Sequence, residues 1–110
     1  MMKRKLNWLL IVSLFCSCQS KIDAPLSEEK LLAVLVDIHT AEALTEGERQ
    51  NVRDSMNRIY YAQIFEHHGI RKQDFDSTMT IYAHVPERFD SVYSRVERLI
   101  NQKKDTTHVQ

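Results

Sequence analysis

The sequence predicts an all-α protein, a small bundle of about four helices behind a cleaved export signal. Three observations lead to this prediction. A chain of 110 residues has room for one domain. It contains only two glycines and two prolines, too few for a sheet with many tight turns. Its apolar residues recur at helical spacing. We therefore divide the chain into a signal (1–17), a linker (18–26), a helical domain (27–101) and a polar tail (102–110).

The first helix is predicted to begin at Ser27, whose hydroxyl can accept a hydrogen bond from a free backbone N–H group. Glu28 and Glu29 follow in the first turn, where acidic side chains suit the positive end of the helix dipole. An apolar face comes next, which makes this helix the central one of the bundle. Its residues are Leu31, Val34, Leu35, Ile38 and Ala41.

Three more helices are predicted. The second runs from about Glu48 to His68 and ends at Gly69, which suits a left-handed cap. A shorter third helix covers residues 73–84. Pro86 opens the fourth, because proline is tolerated at a first helical position. The apolar side of the second helix is expected to be Val52, Met56, Ile59, Tyr60 and Ile64, and that of the fourth Phe89, Val92, Tyr93, Val96, Leu99 and Ile100.

Residues 1–17 have the three parts of a secretory signal. A basic run at residues 3–5 precedes an apolar run at residues 6–15, and Ser17 is a small residue before a cysteine. The apolar run is too short for a membrane span of about 20 residues, so no permanent transmembrane helix is expected.

The segment Leu14-Phe15-Cys16-Ser17-Cys18 resembles a bacterial lipobox, in which an apolar residue and small residues precede a cysteine that receives lipid. Cys18 fits the lipidated position best, with cleavage after Ser17. Two or three acyl chains anchor stably, because each buried methylene contributes about 0.8 kcal/mol. The alternative is a plain signal peptide with both cysteines near the cut, or joined in a disulfide, for which their spacing is poor.

The predicted location is the cell envelope. Gln19, rather than aspartate, follows Cys18, which by resemblance to Gram-negative sorting rules favours the outer membrane, and we expect the periplasmic side. Of 15 basic and 15 acidic residues, three basic ones lie in the signal, so the mature chain has a net charge of −3. No nucleic-acid partner is expected from this balance. The expected partners are the membrane, through lipid, and an envelope protein.

The polar residues of most interest are Asp37, His39 and Glu42 on the first helix. At about 100° per residue, Glu42 projects near the centre of the apolar face, His39 lies on its flank and Asp37 points away. A carboxylate on such a face needs a partner. The candidates are Arg53, Arg95, a tyrosine hydroxyl and His39 itself.

Two interpretations of His39 and Glu42 stay open. They could form a divalent-metal or small-ligand site, completed by His67 or His68 from the second helix. They could equally belong to a structural hydrogen-bond network, or Glu42 could reach solvent. His67 and His68 are adjacent and diverge by about 100°, so they are hard to direct at one ion, and both suit the end of a helix beside Gly69. No cofactor is expected.

No enzyme signature occurs in the sequence: it has no nucleophile elbow, zincin motif or phosphate-binding loop. We therefore expect a non-enzymatic protein. The first hypothesis is a lipid-anchored periplasmic interaction module that binds a protein or peptide through a helix face or groove. The alternative is a protein that binds a divalent metal or small ligand at His39 and Glu42. The four tyrosines suit the edge of the core, or a groove lined by rings.

A set of short patterns along the domain also carries a resemblance to a known family. The patterns are Val36-Asp37-Ile38-His39, Ala41-Glu42-Ala43, Tyr60, Tyr61, Ile64, His68-Gly69-Ile70, Asp74-Phe75-Asp76-Ser77, Tyr82, Pro86-Glu87, Val92-Tyr93 and Val96. In their order and spacing the chain resembles the DUF4296 family, small Bacteroidota lipoproteins defined only as a domain of unknown function. The resemblance implies lipidation and a helical fold, and it implies no activity.

Overall fold

A computed structural model describes residues 22–108, and their side chains as far as residue 106. The predicted signal (1–17) and Cys18 lie outside these residues. Within them the chain forms four helices and no strand, so the predicted all-α fold is confirmed. None of these helices is both long and apolar enough to cross a bilayer. The helices are α1 (Glu28–Leu44), α2 (Gln50–His68), α3 (Lys72–Ala83) and α4 (Pro86–His108).

The helix ends follow local signals in the sequence. The Ser27 hydroxyl accepts a hydrogen bond from the Lys30 backbone N–H at 3.2 Å, which caps α1 as predicted. Gly69 adopts a left-handed conformation with φ of 64°, and the N–H of Ile70 reaches back to the Phe65 carbonyl at 3.0 Å. This is the predicted glycine cap of α2. Pro86 begins α4, also as predicted.

Helix α1 is the centre of the bundle, as its apolar face predicts. It packs against α2 on one side and α4 on the other, while α3 packs against α4. The larger buried cluster joins α1, α3 and α4, and the smaller one joins α1 and α2. The larger cluster contains Leu31, Leu32, Leu35, Val36, Tyr82, Val92 and Val96, and the smaller contains Val34, Ile38 and Phe65.

The predicted apolar side of α2 is partly wrong. Val52 is exposed, and Ile59 keeps 58% of its surface exposed. Ile64 packs on the α1 side as predicted, but it does so with Tyr61 and Phe65, which the prediction left out. The face of α2 that meets α1 carries apolar and polar residues together: Phe65 packs against α1, while Tyr61 and His68 bond to Glu42 and Asp37 of α1. Helix α2 is therefore turned about its own axis relative to the prediction.

The end of α4 also differs from the expectation. The helix continues to His108, beyond the predicted end of the helical domain at residue 101 and through most of the predicted polar tail. No glycine or proline follows Asn101, and glutamine and lysine are good helix formers. Residues 101–106 are exposed, so this extension adds nothing to the core.

Half of the predicted linker belongs to the folded domain. Ile22 and Ala24 pack against the larger cluster, and Leu26 is buried. The Leu26 backbone N–H donates to the Thr78 hydroxyl of α3 at 3.1 Å, and Thr78 is itself fully buried. Among the described residues, packing against the helical domain therefore starts at Ile22, ahead of the predicted first helical residue.

Candidate functional site

Glu42 lies in a polar cluster between α1 and α2. The Tyr61 hydroxyl of α2 donates a hydrogen bond to Glu42 Oε1, and His39 Nδ1 lies 3.2 Å from Glu42 Oε2. A tyrosine hydroxyl and His39 were two of the expected partners, and both are confirmed. The other two are not partners: Arg95 pairs with Glu29, and the Arg53 guanidinium donates to the Gln50 side chain.

The cluster holds its two nearby phenols in the neutral form. Burial, the hydrogen bond to Glu42 and the charge of Glu42 together raise the pKa of Tyr61 to about 12. Burial and the charge of Glu42 also raise the pKa of Tyr93, on α4. Both hydroxyl groups therefore remain protonated around neutral pH.

His39 has one ring nitrogen with a partner and one without. When Glu42 is ionised, His39 Nδ1 carries the proton that points toward Glu42 Oε2. His39 Nε2 is buried and makes no hydrogen bond with any described residue. The ring meets the Tyr93 ring edge-on, with centroids 5.6 Å apart. His39 is thus oriented by Glu42 and packed by Tyr93.

Two cavities meet at His39 and Glu42. The first, the polar pocket, has a volume of about 410 Å³ and lies where α1 leads into α2. The second, the apolar groove, has a volume of about 350 Å³ and receives side chains from all four helices. The polar pocket is lined by His39, Glu42, Ala43, Thr45, Glu46, Arg53 and Asn57, and the apolar groove by Leu35, Ile38, His39, Glu42, Tyr61, Phe65, Lys72, Phe75, Asp76, Met79 and Tyr93.

The apolar groove has the size and lining of a ligand site. Ligand pockets in proteins typically measure about 300–1,000 Å³ and combine apolar walls with a few polar groups. Here the polar groups are His39 and Glu42 inside and the Lys72–Asp76 ion pair, 2.6 Å long, on α3. Tyr61 and Tyr93 are among its lining residues, which agrees with one of the two roles expected for tyrosines.

His67 and His68 do not complete a site with His39 and Glu42. His68 Nε2 lies 2.6 Å from Asp37 Oδ2, and His67 is exposed, with its ring edge-on to that of His68. His68 is seven positions beyond Tyr61, so the rise of α2 carries it about 10 Å from the residue that reaches Glu42. In the described part of the chain, no three histidine, cysteine, aspartate or glutamate side chains form a group that could hold a metal ion.

The contact of Asp37 with α2 corrects the expectation that Asp37 points away from the bundle. Asp37 is half-buried because α2 packs along that flank of α1. The sequence carried a usable signal for this contact. Tyr61, Phe65 and His68 are spaced four and three residues apart, so they share one face of α2, and that face is the one that meets α1.

A family model described as "Domain of unknown function (DUF4296)" matches residues 23–106, which include α1, α2, α3 and most of α4. No curated protein matches the chain, and no solved structure matches it.

Proposed function

The chain belongs to the DUF4296 family, a domain of unknown function, and from that premise we propose that it is a lipid-anchored envelope protein whose helical domain binds another envelope protein. The observation that carries this proposal is the apolar groove. An open cleft that receives side chains from four helices exposes apolar and aromatic surface to a partner, and burying that surface favours association.

The anchor is proposed from the sequence. Residues 1–17 have the order of a secretory signal, and Cys18 occupies the lipidated position of the lipobox-like segment. Gln19 supports the outer membrane as the destination, with the domain in the periplasm. Mass spectrometry of the mature protein tests this part: an N-terminal Cys18 with acyl chains is expected, and an unmodified terminus would contradict it.

Binding, rather than catalysis, is the activity proposed for the groove. His39 and Tyr61 each hydrogen-bond to Glu42, so His39 Nδ1, the Tyr61 hydroxyl and both Glu42 carboxylate oxygens already make structural contacts. No serine or cysteine lines the polar pocket or the apolar groove. The hydroxyl of Thr45, in the polar pocket, is bonded to the Asn57 side chain at 3.0 Å.

Partner capture with the intact lipidated protein tests the binding function. Wild-type protein is expected to recover one envelope protein in a stable ratio from membranes solubilised in several detergents. Met79→Glu, which places a charge in the groove, is expected to abolish recovery. Ile59→Glu is the matched control, because Ile59 is exposed and lies outside the groove. Recovery of nothing above background in any detergent would contradict the proposal.

A second candidate function is binding of a small ligand or divalent metal at His39 and Glu42. The observation in its favour is that these two residues line both cavities. A metal bound there would take its remaining ligands from water or from a bound molecule. Thermal melting with and without zinc tests the metal: a raised melting temperature is expected if zinc binds the folded protein, and identical values would remove it.

A further inference from the structure

We propose that the apolar groove recognises a positively charged group on an apolar stem, such as a lysine or arginine side chain of the partner, with Glu42 as its counter-ion. This inference rests on the proposed binding function and names the chemistry of the ligand.

The first argument is the charge of Glu42. Its hydrogen-bond partners among the described side chains are the neutral hydroxyl of Tyr61 and the imidazole of His39, and it makes no ion pair there with lysine or arginine. A carboxylate offers about four acceptor positions, of which these contacts use two. The Glu42 side chain is 39% exposed and lines the groove, so a bound group can reach it.

Other carboxylates of the domain differ from Glu42 in their partners. Several pair with lysine or arginine, which neutralises their charge locally. Of these, Asp76 lines the groove, and Lys72 compensates its charge. Glu42 is therefore the carboxylate of the groove that has no lysine or arginine partner among the described residues. The pairs are Arg88 with Glu28, Arg95 with Glu29, Arg71 with Asp74 and Lys72 with Asp76.

The second argument is the groove's lining. Phe75 and Met79, which line the groove and are only partly buried, offer apolar contact to the stem of a long cationic side chain. The rings of Tyr61 and Tyr93 lie beside Glu42 and remain uncharged, and aromatic faces attract cations. An ion pair flanked by such side chains is also stronger than one surrounded by water.

The groove discriminates against the other ligand classes. A carboxylate or phosphate would be repelled by Glu42 and would find Lys72 already paired with Asp76. A purely apolar group would bury surface but leave the charge of Glu42 without a counter-ion. A cation on an apolar stem would contact the apolar lining through its stem and pair with the Glu42 carboxylate through its charge.

Three small probes with one apolar body and different charges test the inference. They are 2-phenylethylamine, which is cationic, 2-phenylethanol, which is neutral, and phenylacetate, which is anionic. Each is titrated into the full mature lipoprotein in phosphocholine nanodiscs, with empty nanodiscs as the blank. The methyl NMR signals of Met79 and Ile38, which line the groove, report binding.

We expect the amine to shift these signals and to bind at least about fivefold more tightly than the alcohol, and phenylacetate to cause no shift. Glu42→Gln is expected to make the amine and the alcohol equal. Glu66→Gln is the control, because Glu66 is exposed and lies outside the groove, and it should retain the preference. Raising the salt concentration should weaken binding of the amine but not of the alcohol, which tests the charge without any substitution.

Equal binding of the amine and the alcohol by wild-type protein would overturn the inference, as would a preference that survives Glu42→Gln or the absence of any shift. These outcomes are separate from the failure of the proposed function. If a partner is captured through the groove but the protein does not prefer the amine over the alcohol, the proposed binding function is kept and the inferred recognition of a cation is wrong. If the amine is preferred but no partner is recovered, the interaction with an envelope protein is wrong.

Discussion

The two sides of α1 are built differently. Toward α3 and α4, α1 buries a large apolar cluster that includes Leu31 and Leu35, and ion pairs from Arg88 and Arg95 to glutamates of α1 lie at its edge. Toward α2, the apolar cluster is small, and polar bridges cross the interface. The bridges join Asp37 to His68, Glu42 to Tyr61 and Thr45 to Asn57. The polar pocket lies on the polar side, and the apolar groove joins that side to Phe75, Met79 and Tyr93, which pack against the larger cluster.

The largest expected effect is on the apolar side of α1. Leu31→Ala should lower the free energy of unfolding by about 2–5 kcal/mol, because Leu31 is almost fully buried and its truncation leaves a cavity. Leu44→Ala is the matched control, since Leu44 is 69% exposed, and it should change stability by no more than about 0.5 kcal/mol. Urea unfolding measures both; equal losses would mean that the apolar side is not the main source of stability.

A smaller loss is expected on the polar side of α1. His68→Ala removes the partner of Asp37 and should cost about 1 kcal/mol, because the remaining carboxylate is half-buried. His67→Ala, at the exposed neighbouring position, should be close to neutral. Urea unfolding of the two variants distinguishes them. An equal effect would show that both histidines act only at the end of α2.

Tyr61→Phe should have a similar or smaller effect on stability, about 0.5–1.5 kcal/mol, since it removes one hydrogen bond and keeps the ring. This variant distinguishes the contribution of the Tyr61–Glu42 hydrogen bond to stability from its contribution to ligand binding in the groove. Glu42 retains its contact with His39, so we expect the preference for 2-phenylethylamine to persist. Loss of that preference would show that the Tyr61 hydroxyl positions the carboxylate.

The smallest effect is expected from alkaline pH. The pKa of Tyr61 is about 12 in the folded protein against 10.0 for an ordinary tyrosine, so the unfolded chain loses this proton first. Stability should therefore fall as the pH rises from 10 toward 12, and Tyr61→Phe should reduce the slope. Urea unfolding at pH 8, 10 and 11 measures it. A stability that is constant over this range would contradict the raised pKa.

The sequence predicted the parts of the fold that depend on local chemistry. Ser27, Gly69 and Pro86 each specify a helix end through their own backbone or side-chain properties, and the structure confirms all three. The rotation of α2 was not predicted. Its apolar residues are spread widely around the helix, and the choice of face depends on Asp37 and Glu42 of another helix. The spacing of Tyr61, Phe65 and His68 places them on one face of α2, but only the contacts with Asp37 and Glu42 show that this face meets α1.

The candidate site was predicted to a similar extent. His39 and Glu42 could be identified because a carboxylate on an apolar face must find partners. Tyr61 was foreseen only as a type of partner, and the groove required the positions of all four helices. The role of His68 was missed because its partner, Asp37, was assigned to the outer side of α1.

The attachment of residues 22–26 to the bundle has a mechanical consequence for an anchored protein. If lipid is carried at position 18, the stretch between the acyl chains and the packed Ile22 reaches at most about 14 Å when fully extended. This tether is shorter than the bundle's central helix α1, which at about 1.5 Å per residue measures roughly 25 Å. The bundle would then stay close to the lipid headgroups and could rotate little. A partner would have to present its lysine or arginine side chain at that distance from the membrane.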